Sequence, residues 1–208
     1  GPITVAREIA EITDDKSIAT KEYVDSFKGI KNVVQTHTTA RTNYTIPSSA
    51  NSVNGAGGIE LTDLTTRITL STNNPEIIIQ CRISYEVSEN GGFNIYRRLV
   101  KDVSEDTNPG TETELGISVA DRTDVGYRGV YFNPFTYDAN NSTTPANSTL
   151  LFVDDLSGHT AGDVVEYVIK AAGAGQNFNL NHTIDNANYQ SREYGSSTCV
   201  LQELGYNV

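Results

Sequence analysis

The stretch EIIIQCRISYEV, residues 76–87, constrains this chain more than any other. Ile77, Ile79, Cys81, Ile83, Tyr85 and Val87 occupy every second position, with Gln80, Arg82, Ser84 and Glu86 between them. Side chains of a strand alternate between two faces, so this pattern predicts a long antiparallel strand with one face on a core and one toward water. ENGG follows, and then FNIYRRLVKDV. Asn90-Gly91 is a pair that accepts positive φ, so the two strands are expected to pair directly as a hairpin.

The same period continues through NVVQTHTTARTNYTI, RITLS, ELGISVA, GYRGVYF, STLLFVDD, DVVEYVIKAAG, FNLNHTI and STCVLQEL, separated by turn clusters such as DTNPGT, DANNSTTPANS and AGAGQN. About ten strands with no helical period between them argue against a βαβ sheet and for an all-β antiparallel sandwich or barrel. Three runs break the alternation: Gly129–Phe132, Leu150–Val153 and Val164–Ile169. A strand apolar on both faces needs cover on its outer face, because large exposed apolar patches are rare on monomers. Another subunit would supply it at Tyr131, Leu151, Val153, Val164 and Val168; a bulge that turns single side chains inward is the simpler alternative.

One segment reads differently. In SIATKEYVDSF, residues 17–27, Ala19, Tyr23, Ser26 or Phe27, and then Ile30 fall at helical spacing. Thr20 is placed to cap, Glu22 favours the helix dipole, and Gly29 is expected to end the helix. A helix of two or three turns is marginal in water, so Tyr23 and Phe27 are expected to be buried against a partner.

Fifteen basic against 26 acidic residues give a formal charge of −11, which repels nucleic acid and anionic membranes. No apolar run reaches the roughly 18 residues of a membrane span, so no membrane insertion is expected. The absence of Met and the Gly1-Pro2 start suggest residues left by tag removal, and a C-terminal piece of a longer protein. Cys81 and Cys199 lie in strand-like runs without metal-ligand spacing; buried free thiols are expected, with a disulfide open if they face each other. Sequons occur at Asn43, Asn140, Asn141, Asn147 and Asn181, in a chain rich enough in Asn, Ser and Thr to produce them by chance.

Catalytic signatures are weak. The histidines are His37, His159 and His182, none in a nucleophile motif, and Ser157 two residues from His159 seldom makes a working pair. The acid pairs Asp154-Asp155 and Glu112/Glu114 would serve a glycosidase only if carboxylates from separate elements converged. VNGAGGIE and AAGAGQN lack the helix and the Lys of a phosphate loop and read as turns, and SEDTNPGTETE is only a faint calcium pattern. No catalytic residue, cofactor or metal is assigned. The recognition candidate is the polar loop NPFTYDANNSTTPANS, residues 133–148: Phe135 and Tyr137 offer aromatic faces, and Asp138, Asn140 and Asn141 offer the hydrogen-bonding groups that saccharides need. Ordinary loop composition explains the same residues.

IATKEYVD resembles the Ala-Thr-Lys-x-Tyr-Val-Asp segment of bacteriophage tail fibres, matching at Ala19, Thr20, Lys21, Tyr23, Val24 and Asp25. The strands after it, with GVYFNPF and the terminal SSTCVLQELG, resemble the jelly-roll heads of such fibres, close in architecture to complement- and tumour-necrosis-factor-like trimers. The resemblance implies a jelly-roll-like β-sandwich head over residues 31–208, a shaft end and neck helix over 3–30, a homotrimer, and a position at the distal end of a virion's tail fibre. It also implies an adhesin for a host cell-surface receptor, a glycan or a protein. The iron-binding His-x-His motif of some fibre tips is absent, so no metal is carried over. A glycan-cleaving tail enzyme and a secreted trimeric ligand are the alternatives; converging acids would favour the first, a Cys81–Cys199 bridge and occupied sequons the second.

Overall fold

The computed structural model describes residues 28–47, 58–89, 91–115, 134–135, 145–173, 175–183 and 194–206. They form an antiparallel, jelly-roll-like β-sandwich of two sheets, with one 3-10 turn at Thr62–Leu64. The strands are β1 (Lys28–Thr38), β2 (Thr42–Thr45), β3 (Ile59–Glu60), β4 (Thr66–Thr69), β5 (Glu76–Val87) and β6 (Gly91–Lys101). After them come β7 (Glu112–Glu114), β8 (Pro134–Phe135), β9 (Ala146–Asp155), β10 (Val164–Gly173), β11 (Asn177–Leu180) and β12 (Ser197–Tyr206). The first sheet joins β1, β12, β5, β9, β11 and β2; the second joins β3, β4, β10, β6, β7 and β8.

The inward half of the period-2 reading of β5 holds, since Ile77, Ile79, Cys81, Ile83, Tyr85 and Val87 all enter the core; of the residues expected to face water, Gln80 and Arg82 do, but Ser84 and Glu86 are buried. From the second sheet Phe93, Ile95, Val165, Tyr167, Ile169 and Ala171 meet them. Tyr85, Phe93 and Phe178 pack at centroid distances of 5.4, 5.3 and 5.7 Å, edge-on for the two contacts of Phe93 and stacked for Tyr85–Phe178. Such contacts add to burial because the ring edge is positive and the face negative. Cys81 and Cys199, paired in register across β5 and β12, form a disulfide rather than the free thiols expected.

Three expectations are corrected. β5 and β6 are consecutive but do not pair: Tyr85 has Leu180 on one edge and Ala146 on the other, so both edges of β5 are occupied, and β6 pairs with β10 in the opposite sheet. β5 and β6 therefore lie in different sheets of the sandwich. Gly29 and Ile30, expected to end the helix and complete its stripe, lie in β1, where a bulge separates Ile30 from Asn32. The rest of the expected helix, with Tyr23 and Phe27, lies outside the described residues. VNGAGGIE, expected as a turn, contributes β3; a Cβ on Gly58 would come within 2.9 Å of the Lys170 Cβ, so glycine permits the approach to β10.

Candidate functional site

Strand polarity gives the sandwich two distinct ends. At the entry end Lys28 pairs with Tyr206, Leu204 with Glu76, and Glu76 with Asp155. At the far end Thr38 pairs with Ser197, Tyr85 with Ala146, and Gly91 with both Gly173 and Phe135. The candidate loop therefore leaves β8 and returns into β9 at the end opposite Lys28. Phe135 is described by its backbone alone, and Tyr137, Asp138, Asn140 and Asn141 lie outside the described residues, as does Tyr131.

The far end is built on Asn181. Held at φ 62°, which Asn tolerates better than other side-chain-bearing residues, it donates through Nδ2 to Thr38 O at 3.2 Å and Ala40 O at 2.9 Å. Its Oδ1 accepts from Ser197 Oγ at 2.6 Å, and Ser197 Oγ accepts from the Ser84 amide at 2.9 Å. The Asn181 amide donates to Ser84 O at 2.8 Å, and the Gly195 amide donates to Asn181 O at 3.1 Å. A Cβ on Gly195 would lie 1.8 Å from Ser84 Oγ, so any side chain there would force Ser84 or the segment to move. On this buried frame Arg41 stacks its guanidinium 4.2 Å from the centroid of the Tyr194 ring, which is 49% exposed. His182 is 3% exposed; its Nδ1 bonds Thr183 O at 2.9 Å, and its Nε2 has no partner among the described residues. Burial first, and the nearby Arg41 charge, lower its proton affinity. Arg41 and Tyr194 went unnoticed in the sequence because 152 intervening positions hide their contact; Asn181 stood out only as a sequon. Its side chain is fully buried, which excludes glycosylation of the folded chain there, whereas Asn43 and Asn147 are exposed.

The outer face of the second sheet carries an ionic cluster. Arg98 bonds Glu166 at 2.6 Å, Glu112 at 2.8 Å and Glu60 at 3.3 Å; Arg67 reaches Glu166 at 2.6 Å and Lys170 reaches Glu112 at 2.6 Å. Burial opposes ionisation of Glu112, but the Lys170 and Arg98 bonds outweigh it and hold the carboxyl below its usual range. Glu114 is pushed up, mainly by burial. Glu60, Glu112 and Glu166 converge on cations, whereas Glu114 is bonded to Tyr96 and its Oε1 has no partner among the described residues. Asp154 and Asp155 point to opposite faces, and Ser157 Oγ donates to Asp155 at 2.7 Å while His159 faces Asp163 at 3.3 Å, so Ser157 and His159 are engaged elsewhere.

The first sheet's outer face carries apolar residues interrupted by glutamines. Leu151 and Val153, both expected to need cover, are 64% and 50% exposed. In register beside Val153 run Ile78, Gln202 and Val33; beside Leu151 run Gln80, Val200 and Gln35. Ile30 and Val33 are exposed at the far edge of this face. On the other sheet Val164 is half-buried and Val168 is fully buried within the single chain, so Val168 needs no second subunit. It lies beside Tyr96 on the outer face, and both are covered.

No family model matches the chain, and no curated protein matches it. Solved structures do. The VP2 subviral particle of infectious bursal disease virus is 11% identical over 94% of this chain and 42% of that chain, with a TM-score of 0.38. The T13 particle of the same virus is 13% identical over 92% of this chain and 40% of that chain, with a TM-score of 0.39. An α-amino acid ester hydrolase aligns at 11% identity over 78% of this chain and 27% of that chain, with a TM-score of 0.25. The chain thus spans less than half the length of the viral proteins it matches.

Proposed function

We propose that the chain is the head of a bacteriophage tail fibre, a homotrimeric adhesin without enzymatic activity that sits at the distal end of the virion's fibre and binds a host cell-surface glycan. The observation that carries this reading is the opposition of the two ends: the chain enters β1 at Lys28, and the candidate loop re-enters at Ala146 on the other side of the sandwich. A head mounted by its N-terminal side exposes the loops of the far end first. The apolar part of the outer face around Leu151, Val153, Ile78 and Val33 supports packing of copies about a common axis. Three identical heads convert weak single contacts into avidity. The Cys81–Cys199 bridge suits a protein exposed on a virion, where nothing keeps thiols reduced. It suits a secreted trimeric ligand equally well, and the exposed Asn43 and Asn147 favour that second reading.

Light scattering and adsorption to bacterial cells test the proposal. The 22.6 kDa chain is expected to scatter as a species about three times its mass and to adsorb to its host. Tyr137→Ala is expected to abolish adsorption with mass and melting unchanged. A monomer that persists at high concentration overturns the trimer. Adsorption to animal cells alone, with Asn43 or Asn147 glycosylated in a eukaryotic host, selects the secreted ligand.

A further inference from the structure

We propose that Arg41 and Tyr194 form a recognition site for an acidic saccharide, a sugar ring bearing an oxyanion such as a carboxylate or a phosphate. The inference rests on the reading that the far end faces the receptor. Four observations meet here. Tyr194 presents a half-exposed ring, the kind of surface on which the apolar face of a pyranose packs. Arg41 lies against that ring with its guanidinium carbon 4.2 Å from the centroid, which places a planar cation able to bind an oxyanion through two N–H groups beside the same surface.

Charge is the third. Arg67, Arg97, Arg98 and Lys170 are all bonded to carboxylates. Arg41 has no carboxylate partner among the described residues, so within them this spot displays a cation outside any ion pair, in a chain of net charge −11. Lastly, the pair is preorganised. Arg41 follows Ala40, whose carbonyl is held by Asn181, and Tyr194 precedes Gly195, whose amide is bonded to the same residue. A site whose two halves hang from one buried residue, one from its side chain and one from its main-chain carbonyl, loses little freedom on binding. His182, neutral beside it, leaves the site's charge to Arg41.

The test is an array of glycans in three arms: uronate- or sialate-bearing, phosphate-bearing, and neutral counterparts of the same linkage, probed with the assembled 208-residue chain. Wild type is expected to favour an acidic arm over its neutral counterpart at least tenfold, with binding that weakens as salt rises. Which acidic arm wins identifies the oxyanion. Arg41→Gln is expected to erase that preference, Arg41→Lys to recover part of it, Tyr194→Ala to lose binding to all arms and Tyr194→Phe to retain it, all with unchanged melting. Equal binding of acidic and neutral arms, or full binding by Arg41→Gln, overturns the inference. If the chain adsorbs to host cells and the Arg41 and Tyr194 variants adsorb as well as wild type, the site is wrong while the adhesin reading stands; if it adsorbs to no bacterium and binds no glycan, both fall.

Discussion

Glu203, fully buried on β12, closes its carboxylate around Ser71. The Ser71 amide reaches both oxygens at 2.9 and 3.0 Å and its hydroxyl donates at 2.8 Å, while Thr72 adds its amide at 2.8 Å and its hydroxyl at 2.9 Å. Four donor groups satisfy one buried anion, and in doing so tie the turn between β4 and β5 to β12 at the entry end. Glu203→Gln would set an NH2 donor against these donors. A loss of about 2–4 kcal/mol is expected in denaturant unfolding, and a loss below about 0.5 kcal/mol would refute the role.

The two faces that looked alike in sequence should behave oppositely. Leu151→Asp with Val153→Asp is expected to yield a folded monomer with the melting of an undisturbed sandwich, because both side chains are exposed in the single chain. Val168→Asp inserts a carboxylate at a fully buried position and is expected to cost about 3 kcal/mol or more. Scattering and thermal melts of the two variants decide it; loss of folding in the Leu151/Val153 variant would remove the interface proposal.

Two carboxyls predict opposite pH trends. Asp154 receives Arg97 at 3.1 Å and the Tyr167 hydroxyl at 2.8 Å, yet burial dominates and raises its proton affinity. A raised acid contributes stability that is fully present below the unfolded value near 3.9 and is lost as pH rises through the folded one. Glu112, lowered by Lys170 and Arg98 against the opposing effect of burial, contributes stability present above the unfolded value near 4.3 and lost as pH falls through the folded one. Relative to Asp154→Asn, wild type should therefore gain stability as pH falls from 7 toward about 4. Relative to Glu112→Gln it should lose stability as pH drops below about 4. Parallel trends for the two variants would contradict these assignments.

The disulfide closes a loop with a sequence separation of 118 residues. Replacing both Cys81 and Cys199 by Ala is expected to cost about 2–5 kcal/mol, and the denatured, unreduced chain should bind no thiol reagent. Full labelling of two thiols would show the free cysteines read from sequence.

Gly195→Ala tests the frame beneath Arg41 and Tyr194. Its Cβ would meet Ser84 Oγ at 1.8 Å, so the segment must shift; a loss of about 1–3 kcal/mol is expected, together with weaker glycan binding. A variant with wild-type stability would mean that the segment yields freely.

Alternation by itself determined the local facts. It identified the inward residues of β5, because a strand's side chains must alternate whatever it pairs with, and it marked STCVLQEL as a strand without saying which of its residues face the core. Leu151 and Val153 were legible as outward apolar residues for the same reason. Tertiary structure decided everything that depends on which edges and faces meet. Asn90-Gly91 marks a reversal of direction, yet hydrogen bonding along both edges of β5 by β9, β11 and β12 sends β6 to the other sheet. Val168 has the same local pattern as Leu151, and only the folding of the rest of the chain covers one and leaves the other bare. The Glu203 anchor, the Cys81–Cys199 bond and the Arg41–Tyr194 pair join positions far apart in sequence. No local period encodes such contacts, because they exist only once the two sheets have closed on a common core.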